Sequence, residues 1–332
     1  MRRILRSTRD ASASVDLAVT GLAAASGHNP TARVEHARSI GRHDRQVNVD
    51  DAYRLLDVGG GARLEQFGAR IVDRPHPGAL GSRGDPASWQ TADLRFDRDG
   101  GWTGNPNGMK PWSIGVAGVT LELRPTEAGQ LGLFPEHLAM LPWLTAQVPN
   151  RAALDGPDEH QTTVLHVFAY TGLATLALAA SGAAVTHVDS SRPTIAWARA
   201  NAARSGLSDR PIRWIVDDAT AFIHREIRRG RRYDGLILDP PSYGHGPAGQ
   251  AWHLERDLPG LFAASARLVA SNGFVLLTAH SPGFDGDRLA AGLALALRRS
   301  PNSFERGDLF VAAEDGRRLE LGAFARWPGA AS

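Results

Sequence analysis

Short apolar runs alternate with longer amphipathic runs along the chain from about residue 160 onward. This order of elements is typical of a doubly wound, mostly parallel sheet with helices on both faces. Two late strands flank a short Asp-Gly-Arg turn, so an antiparallel hairpin should close the sheet. The predicted strands are 162–168, 184–189, 212–216, 233–239, 273–279, 308–314 and 318–325, and the predicted helices lie near 172–181, 192–205, 219–229, 254–270 and 285–299.

The chain before residue 126 has a different pattern. Glycine and proline interrupt short, alternating apolar segments, which favours strands and hairpins. Residues 129–148 then predict a helical bridge, and 150–161 a polar linker. We expect three parts: a disordered or weakly ordered tail (1–45), a small β-rich domain with its bridge (46–150) and an α/β domain (151–332).

The composition is that of a soluble globular protein, because 332 residues with 42% hydrophobic content can bury a full core. No stretch reaches the roughly 18 apolar residues of a membrane span, so no membrane role is expected. The absence of cysteine excludes disulfides, thiolate metal sites and cysteine nucleophiles. The 12 histidines show no metal-binding spacing, and no metal is expected.

The formal net charge is only +2, and the first 45 residues hold eight arginines against four acidic residues. The rest of the chain is therefore slightly acidic. A flexible basic tail raises affinity for a nucleic-acid backbone without selecting a base. Charge alone leaves the partner open, and the sequence does not predict the oligomeric state.

Polar residues follow the predicted strands, at the edge where such sheets bind ligands. Gly172 permits a tight turn into a helix whose free amides can face a ligand, or it makes a plain turn. Asp189 ends the second strand, where a carboxylate can accept both hydroxyls of a ribose or cap the next helix. Asp217 and Asp218 follow the third strand, and either can bind an adenine amino group or cap a helix.

Asp239, Pro240 and Pro241 follow the fourth strand. With them, the order of motifs over 160–332 resembles the class I S-adenosylmethionine-dependent methyltransferases. The segments LFPEH, VFAYTGLATLALAASGA, LDPPSYGHG and TAHSPGF are similar to the bacterial ribosomal RNA large-subunit methyltransferase family. This closer likeness begins near residue 53.

The resemblance implies a Rossmann-like α/β sheet that binds S-adenosylmethionine. Residues 170–172 would surround the methionine part of the cofactor, Asp189 would hold the ribose, and 218–219 would border the adenine. Phe134 and Glu136 from the bridge would close the pocket. The implied cofactor-binding residues are Phe134, Glu136, Phe168, Tyr170, Thr171, Gly172, Asp189, Ser190, Asp217, Asp218, Ala219 and Asp239.

The strand-end sequence after the fourth strand suits methyl transfer to an amine. A sulfonium donor is already activated, so positioning matters more than acid-base catalysis. Asp239 can accept a hydrogen from the amine and the Pro240 carbonyl a second one, while Tyr243 can stack on an extruded base. Alternatively, the segment 243–259 folds over the acceptor. The predicted catalytic residues are Asp239, Pro240, Pro241, Ser242 and Tyr243.

Two related chemistries are disfavoured. Methylation at carbon 5 of pyrimidines in this family uses a cysteine at the end of the fifth strand, where this chain has His280 or Ser281. Ribose 2′-O-methylation by a tetrad with two lysines is also disfavoured, since Lys110 is the only lysine. The leading hypothesis is therefore a cytoplasmic enzyme that methylates a base nitrogen of RNA, with ribosomal RNA as the expected substrate.

Three alternatives remain. A methyltransferase of a small molecule or protein has the same cofactor motifs. A nicotinamide dehydrogenase or nucleotide-binding module uses a similar sheet, but no G-x-G-x-x-G follows a predicted strand. A non-catalytic RNA-binding protein would retain only the fold.

Overall fold

A computed structural model describes residues 52–148, 161–245 and 251–329, which belong to one compact unit. The predicted tail (1–45) and almost all of the predicted linker (150–161) lie outside the described residues. The division at residue 150 stays a prediction.

The described N-terminal part consists mainly of antiparallel hairpins. Gly60, Gly61 and Gly68 have φ values of 63°, 77° and 60°, and glycine adopts this left-handed conformation readily in tight turns. One sheet contains, in order, β1 (Tyr53–Gly59), β2 (Ala62–Phe67), β3 (Arg70–Pro75), β4 (Leu94–Asp97) and β5 (Gly101–Gly104), and a separate hairpin contains β6 (Trp112–Val116) and β7 (Val119–Leu123).

The bridge after β7 is less α-helical than the sequence predicts. A 3-10 helix covers Pro135–Met140, and α1 (Leu141–Ala146) follows it directly. Pro135 and Pro142 each stand near the start of a short helix, where the amide hydrogen that proline lacks would have no partner within the helix.

The central sheet has the strand order β10-β9-β8-β11-β14-β16-β15 in the described part of the chain. Pairs from β10 to β14 are parallel, whereas β16 runs antiparallel to both neighbours. A small hairpin of β12 (Tyr243–His245) and β13 (Ala251–His253) follows β11. The sheet strands are β8 (Thr163–Val167), β9 (Ala184–Asp189), β10 (Ile212–Val216), β11 (Tyr233–Leu238), β14 (Val269–Ala279), β15 (Glu305–Ala312) and β16 (Arg318–Trp327).

Helices connect these strands, and their starts follow from capping residues. Ser191, Asp218 and Asp285 each accept a hydrogen bond from a backbone amide in the first turn of a helix, which satisfies a donor that the helix itself leaves free. The helices are α2 (Leu173–Ala180), α3 (Arg192–Arg204), α4 (Ala219–Arg228), α5 (Leu254–Ser265) and α6 (Gly286–Leu297).

Helix α5 is shorter than predicted. It ends at Ser265 rather than near residue 270, because Val269 already pairs with Tyr233 at the start of β14. Tertiary strand pairing therefore overrides the local apolar pattern of this segment.

The structure confirms the predicted fold class: a mostly parallel α/β sheet with a C-terminal antiparallel hairpin and a small N-terminal β region. In the ranges that the structure describes, no helix is both long enough and apolar enough to cross a membrane.

Candidate active site

Strand register places the candidate residues at one edge of the sheet. Val167 of β8 is paired with Val188 of β9 and with Leu238 of β11, and Leu238 is paired with Leu277 of β14. The following residues in each strand therefore lie at one level of the same carboxyl edge. These residues are Phe168, Asp189, Asp239 and Thr278.

The loop after β8 has an unusual backbone. Phe168 and Tyr170 have φ values of 58° and 50°, in the left-handed region that side chains other than glycine rarely adopt. Gly172 follows with φ 94°, and a Cβ atom there would lie 3.3 Å from the Cβ of Ala198. Strain of this kind persists where the surroundings impose it and is concentrated at functional sites.

Asp189 is bound to this loop. Its Oδ2 accepts a hydrogen bond from the Tyr170 amide and its Oδ1 from the Ser191 amide, both at 2.9 Å. Burial raises the pKa of Asp189 above its ordinary value, although the two amides oppose the rise. The helix cap is Ser191, so Asp189 does not fill the capping role considered from the sequence. Ser190 lies beside it and is exposed.

Thr171 is used inside the protein. Its side-chain hydroxyl donates to the Gly132 carbonyl at 2.6 Å, and its own carbonyl accepts from Asn201 at 3.1 Å. Only 1% of the residue is exposed. The hydroxyl and the carbonyl of Thr171 are thus already used in structural hydrogen bonds.

The two acidic residues after β10 have structural partners. Asp218 caps α4 by accepting from the Ala221 amide at 2.8 Å, as the second interpretation of the sequence predicted. Asp217 accepts from the Asp218 amide at 2.9 Å and forms an ion pair with Arg225. Its own amide donates to the carbonyl of Asp189 at 3.0 Å, so the pair borders Asp189 at the edge of the sheet. Ala219 is buried in the first turn of α4.

The bridge closes over the strained loop. The ring centroids of Phe134 and Tyr170 are 5.0 Å apart. Glu136 is 5% exposed, and its Oε2 has no hydrogen-bond partner among the described residues. The Tyr170 hydroxyl is likewise buried without a partner there.

One pocket brings together six of the residues predicted for the site. It encloses about 40 Å³. Asp189, Asp217 and Asp218 are not among its lining residues. The predicted residues in its wall are Phe134, Phe168, Tyr170, Thr171, Gly172 and Asp239.

Asp239 has polar neighbours on several sides. Its Oδ1 accepts from the Thr278 hydroxyl at 2.5 Å and lies 2.9 Å from His280 Nε2. Its Oδ2 lies 3.6 Å from His137 Nε2. Burial alone would raise the pKa of Asp239, but the two histidines hold it well below its ordinary value.

His280 links Asp239 to the bridge. Its Nδ1 is 2.8 Å from the Leu321 carbonyl and 3.5 Å from Glu136 Oε1. Burial opposes protonation, but the negative charges of Asp239 and Glu136 raise the pKa of His280 to about 9. The Nε2 atoms of His137 and His280 are 3.3 Å apart.

The two prolines lead into an exposed edge. Pro240 is buried and Pro241 is exposed, and the Pro241 carbonyl accepts from the Trp252 indole at 2.7 Å. Ser242 accepts from Ser281 through a 2.5 Å hydroxyl contact. Tyr243 is 52% exposed. The described part of the segment 243–259 thus begins as a hairpin that packs against the pair Pro240–Pro241, the diproline corner.

Sequence reasoning missed His137 as a neighbour of Asp239. The only available signal was its place in LFPEH, next to Glu136. His280 was noted only as the residue at the position of a cysteine in related enzymes. The fold brings these two histidines together although they are 143 positions apart.

The geometry agrees with comparisons to known proteins. A crystal structure of a SAM-dependent methyltransferase from Agrobacterium tumefaciens is 35% identical, with a TM-score of 0.76, and the match covers 83% of this chain and 90% of that one. The chain therefore belongs to the SAM-dependent methyltransferases. This finding confirms the class and the cofactor that the sequence predicts.

Curated relatives named "Ribosomal RNA large subunit methyltransferase K/L" match part of the chain. The protein from Methylococcus capsulatus is 32% identical over 148 residues, 43% of this chain and 20% of the relative. The protein from Shewanella frigidimarina is 30% identical over 172 residues, 51% of this chain and 22% of the relative. The chain thus spans about a fifth of the length of these relatives. No protein-family model matches the chain.

Proposed function

We propose that the protein transfers a methyl group from S-adenosylmethionine to a base nitrogen of RNA. The observation that carries the proposal is the position of Asp189 and Asp239 on one edge of the sheet, on either side of the strained loop after β8. Class I folds of this kind bind their ligands at this edge, where the strand order reverses between β8 and β11.

The residues present suit the cofactor. Each carboxylate oxygen of Asp189 accepts one hydrogen bond from a backbone amide. Each oxygen therefore keeps a lone pair that can accept a hydrogen bond from a ribose hydroxyl. Asp217, Asp218 and Ala219 lie next to Asp189, where the adenine would be, and the exposed Ser190 lies at the mouth of the site. The cofactor supplies the electrophilic methyl group when it is bound.

We expect side chains around this pocket to move when the cofactor binds. Sites for ligands of this size have volumes of roughly 300 Å³ or more, whereas the pocket encloses about 40 Å³. Phe134 and Tyr170 both line it, and their rings pack against each other. We therefore expect Tyr170 and Phe134 to separate when the cofactor enters, with Phe168 and Gly172 forming the floor.

Asp239 would position the acceptor. Its Oδ1 already has two neighbours, Thr278 and His280, so Oδ2 is the oxygen left to accept a hydrogen bond. An acceptor nitrogen that carries a hydrogen, such as an exocyclic amine, fits this arrangement. Pro240 and Pro241 would keep the strand end rigid because their φ angles are fixed.

Two further features favour a nucleic-acid base. The Tyr243 ring is half exposed beside the diproline corner, where it can stack on a base drawn out of a helix. Ser242 and Ser281 form a polar contact next to it. The names of the curated relatives support ribosomal RNA as the substrate and, with it, a cytoplasmic location. The division into a β-rich part (46–150) and a catalytic part (151–332) belongs to the same proposal.

Labelled methyl transfer tests this function. Purified protein and labelled S-adenosylmethionine should be incubated with RNA, protein and small-molecule fractions from a strain that lacks the protein. We expect label in the RNA fraction, and nucleoside analysis should find it on a base nitrogen. Label in the protein or small-molecule fraction alone would contradict the RNA assignment.

A further inference from the structure

We propose that His137, His280 and Asp239 form a binding site for one divalent transition-metal ion of the Zn²⁺ type. The three side chains come from three elements of the fold: the 3-10 helix of the bridge, the end of β14 and the end of β11. The inference goes beyond the proposed methyl transfer and is tested separately from it.

The distances between the potential ligand atoms carry the proposal. His137 Nε2 and His280 Nε2 are 3.3 Å apart, Asp239 Oδ1 lies 2.9 Å from His280 Nε2, and Asp239 Oδ2 lies 3.6 Å from His137 Nε2. Zinc bonds of about 2.0–2.2 Å in a tetrahedral arrangement place neighbouring ligand atoms about 3.3–3.6 Å from each other. The three groups could therefore bind an ion with shifts of a few tenths of an ångström.

The surroundings of His280 match those of a metal ligand. Its Nδ1 faces the Leu321 carbonyl at 2.8 Å, so Nε2, which lies 2.9 Å from Asp239 Oδ1, is the nitrogen that would bind an ion after losing its proton. Histidine ligands in proteins usually donate their other ring hydrogen to a carbonyl or carboxylate in this way. Gly322 permits the close approach, since a Cβ atom there would lie 3.0 Å from His280 Nδ1.

A buried carboxylate supplies a second, independent observation. One carboxylate oxygen of Glu136 and one ring nitrogen each of His137 and His280 all lie within 4.8 Å of one another. It is 5% exposed, and its Oε2 has no hydrogen-bond partner in the described ranges. An unpaired buried carboxylate oxygen is costly, and a cation beside it would remove that cost.

The donor set selects the class of ion. Two imidazoles and one or two carboxylates, without thiolate, suit Zn²⁺, Co²⁺ or Ni²⁺ better than Mg²⁺ or Ca²⁺, which prefer oxygen ligands. The side chains of His137 and His280 are 19% and 25% exposed, so an ion can enter from solvent. A bound ion would cover the Asp239 oxygen that the proposed function assigns to the acceptor, and saturating Zn²⁺ should therefore inhibit methyl transfer.

Metal titration of untagged protein, stripped with EDTA and held near pH 8, tests the site. Calorimetry with Zn²⁺ and visible absorption with Co²⁺ should both show one ion per chain. His137→Asn and His280→Asn should each weaken binding at least about 100-fold. His224→Asn, an exposed histidine on α4, is the matched control and should bind as the unmodified protein does.

Two results would overturn the proposal: no binding below about 100 µM, or equal binding by the unmodified protein and His137→Asn. Thermal unfolding identifies a variant that fails to fold, and His137→Asn, in the 3-10 helix of the bridge, keeps the test valid if His280→Asn does not fold. Binding of S-adenosylhomocysteine by the stripped protein reports on the methyltransferase proposal alone, so the two can fail independently.

Discussion

Replacing Asp189 by alanine should weaken cofactor binding strongly. The carboxylate is held by the amides of Tyr170 and Ser191, both at 2.9 Å. Its position is therefore fixed before any ligand arrives, and little ordering entropy is lost when two ribose hydroxyls donate to it.

The magnitude follows from those two hydrogen bonds. A hydrogen bond to a charged group contributes about 1.5–3 kcal/mol, and the second bond adds less than the first because both share one carboxylate. We expect a loss of about 2–4 kcal/mol, which is a roughly 30- to 1000-fold increase in the dissociation constant.

Isothermal calorimetry with S-adenosylhomocysteine measures this directly. Asp285→Ala, which removes the exposed cap of α6, is the control for loss of a carboxylate elsewhere and should keep normal affinity. Thermal unfolding should show that both variants are folded. If folded Asp189→Ala binds within about threefold of the unmodified protein, Asp189 does not hold the ribose.

Two further predictions concern stability. Burial lowers the pKa of His166 to about 4, so its neutral form contributes up to about 3 kcal/mol to the free energy of unfolding above pH 6.5. This contribution is lost as the pH falls from about 6.5 to 4. Urea unfolding between pH 7 and 4 should show a smaller loss of stability in His166→Asn than in the unmodified protein, and an equal loss would refute this origin. Asp57 is 2% exposed, accepts a hydrogen bond from the Trp89 indole at 2.6 Å and forms an ion pair with Arg317. Asp57→Ala should therefore lower the free energy of unfolding by about 3–5 kcal/mol. A change below about 1 kcal/mol would contradict a stabilising role for this buried ion pair.

Much of the sheet could be predicted from the sequence because parallel strands are buried on both faces and appear as continuous apolar runs. The predicted strand 184–189 coincides with β9, and 212–216 coincides with β10. Helix α5 was harder, since its apolar pattern continues past Ser265 into residues that pair as a strand.

The candidate site was only partly predictable. Asp189 and Asp239 could be assigned to one edge because both end predicted parallel strands. The contacts of Asp239 with His137 and His280 depend on how the bridge packs over the sheet, and no local pattern encodes that packing. The same holds for Asp189, whose capping role is taken by Ser191 two residues later.

The most direct test of the central claim separates cofactor binding from methyl transfer. With Asp239→Ala, S-adenosylmethionine should bind within about threefold of normal, while the single-turnover rate of methyl transfer to RNA should fall by at least about 100-fold, because only positioning of the acceptor is lost. An unchanged transfer rate in this variant would contradict the claim that Asp239 aligns the acceptor with the methyl group.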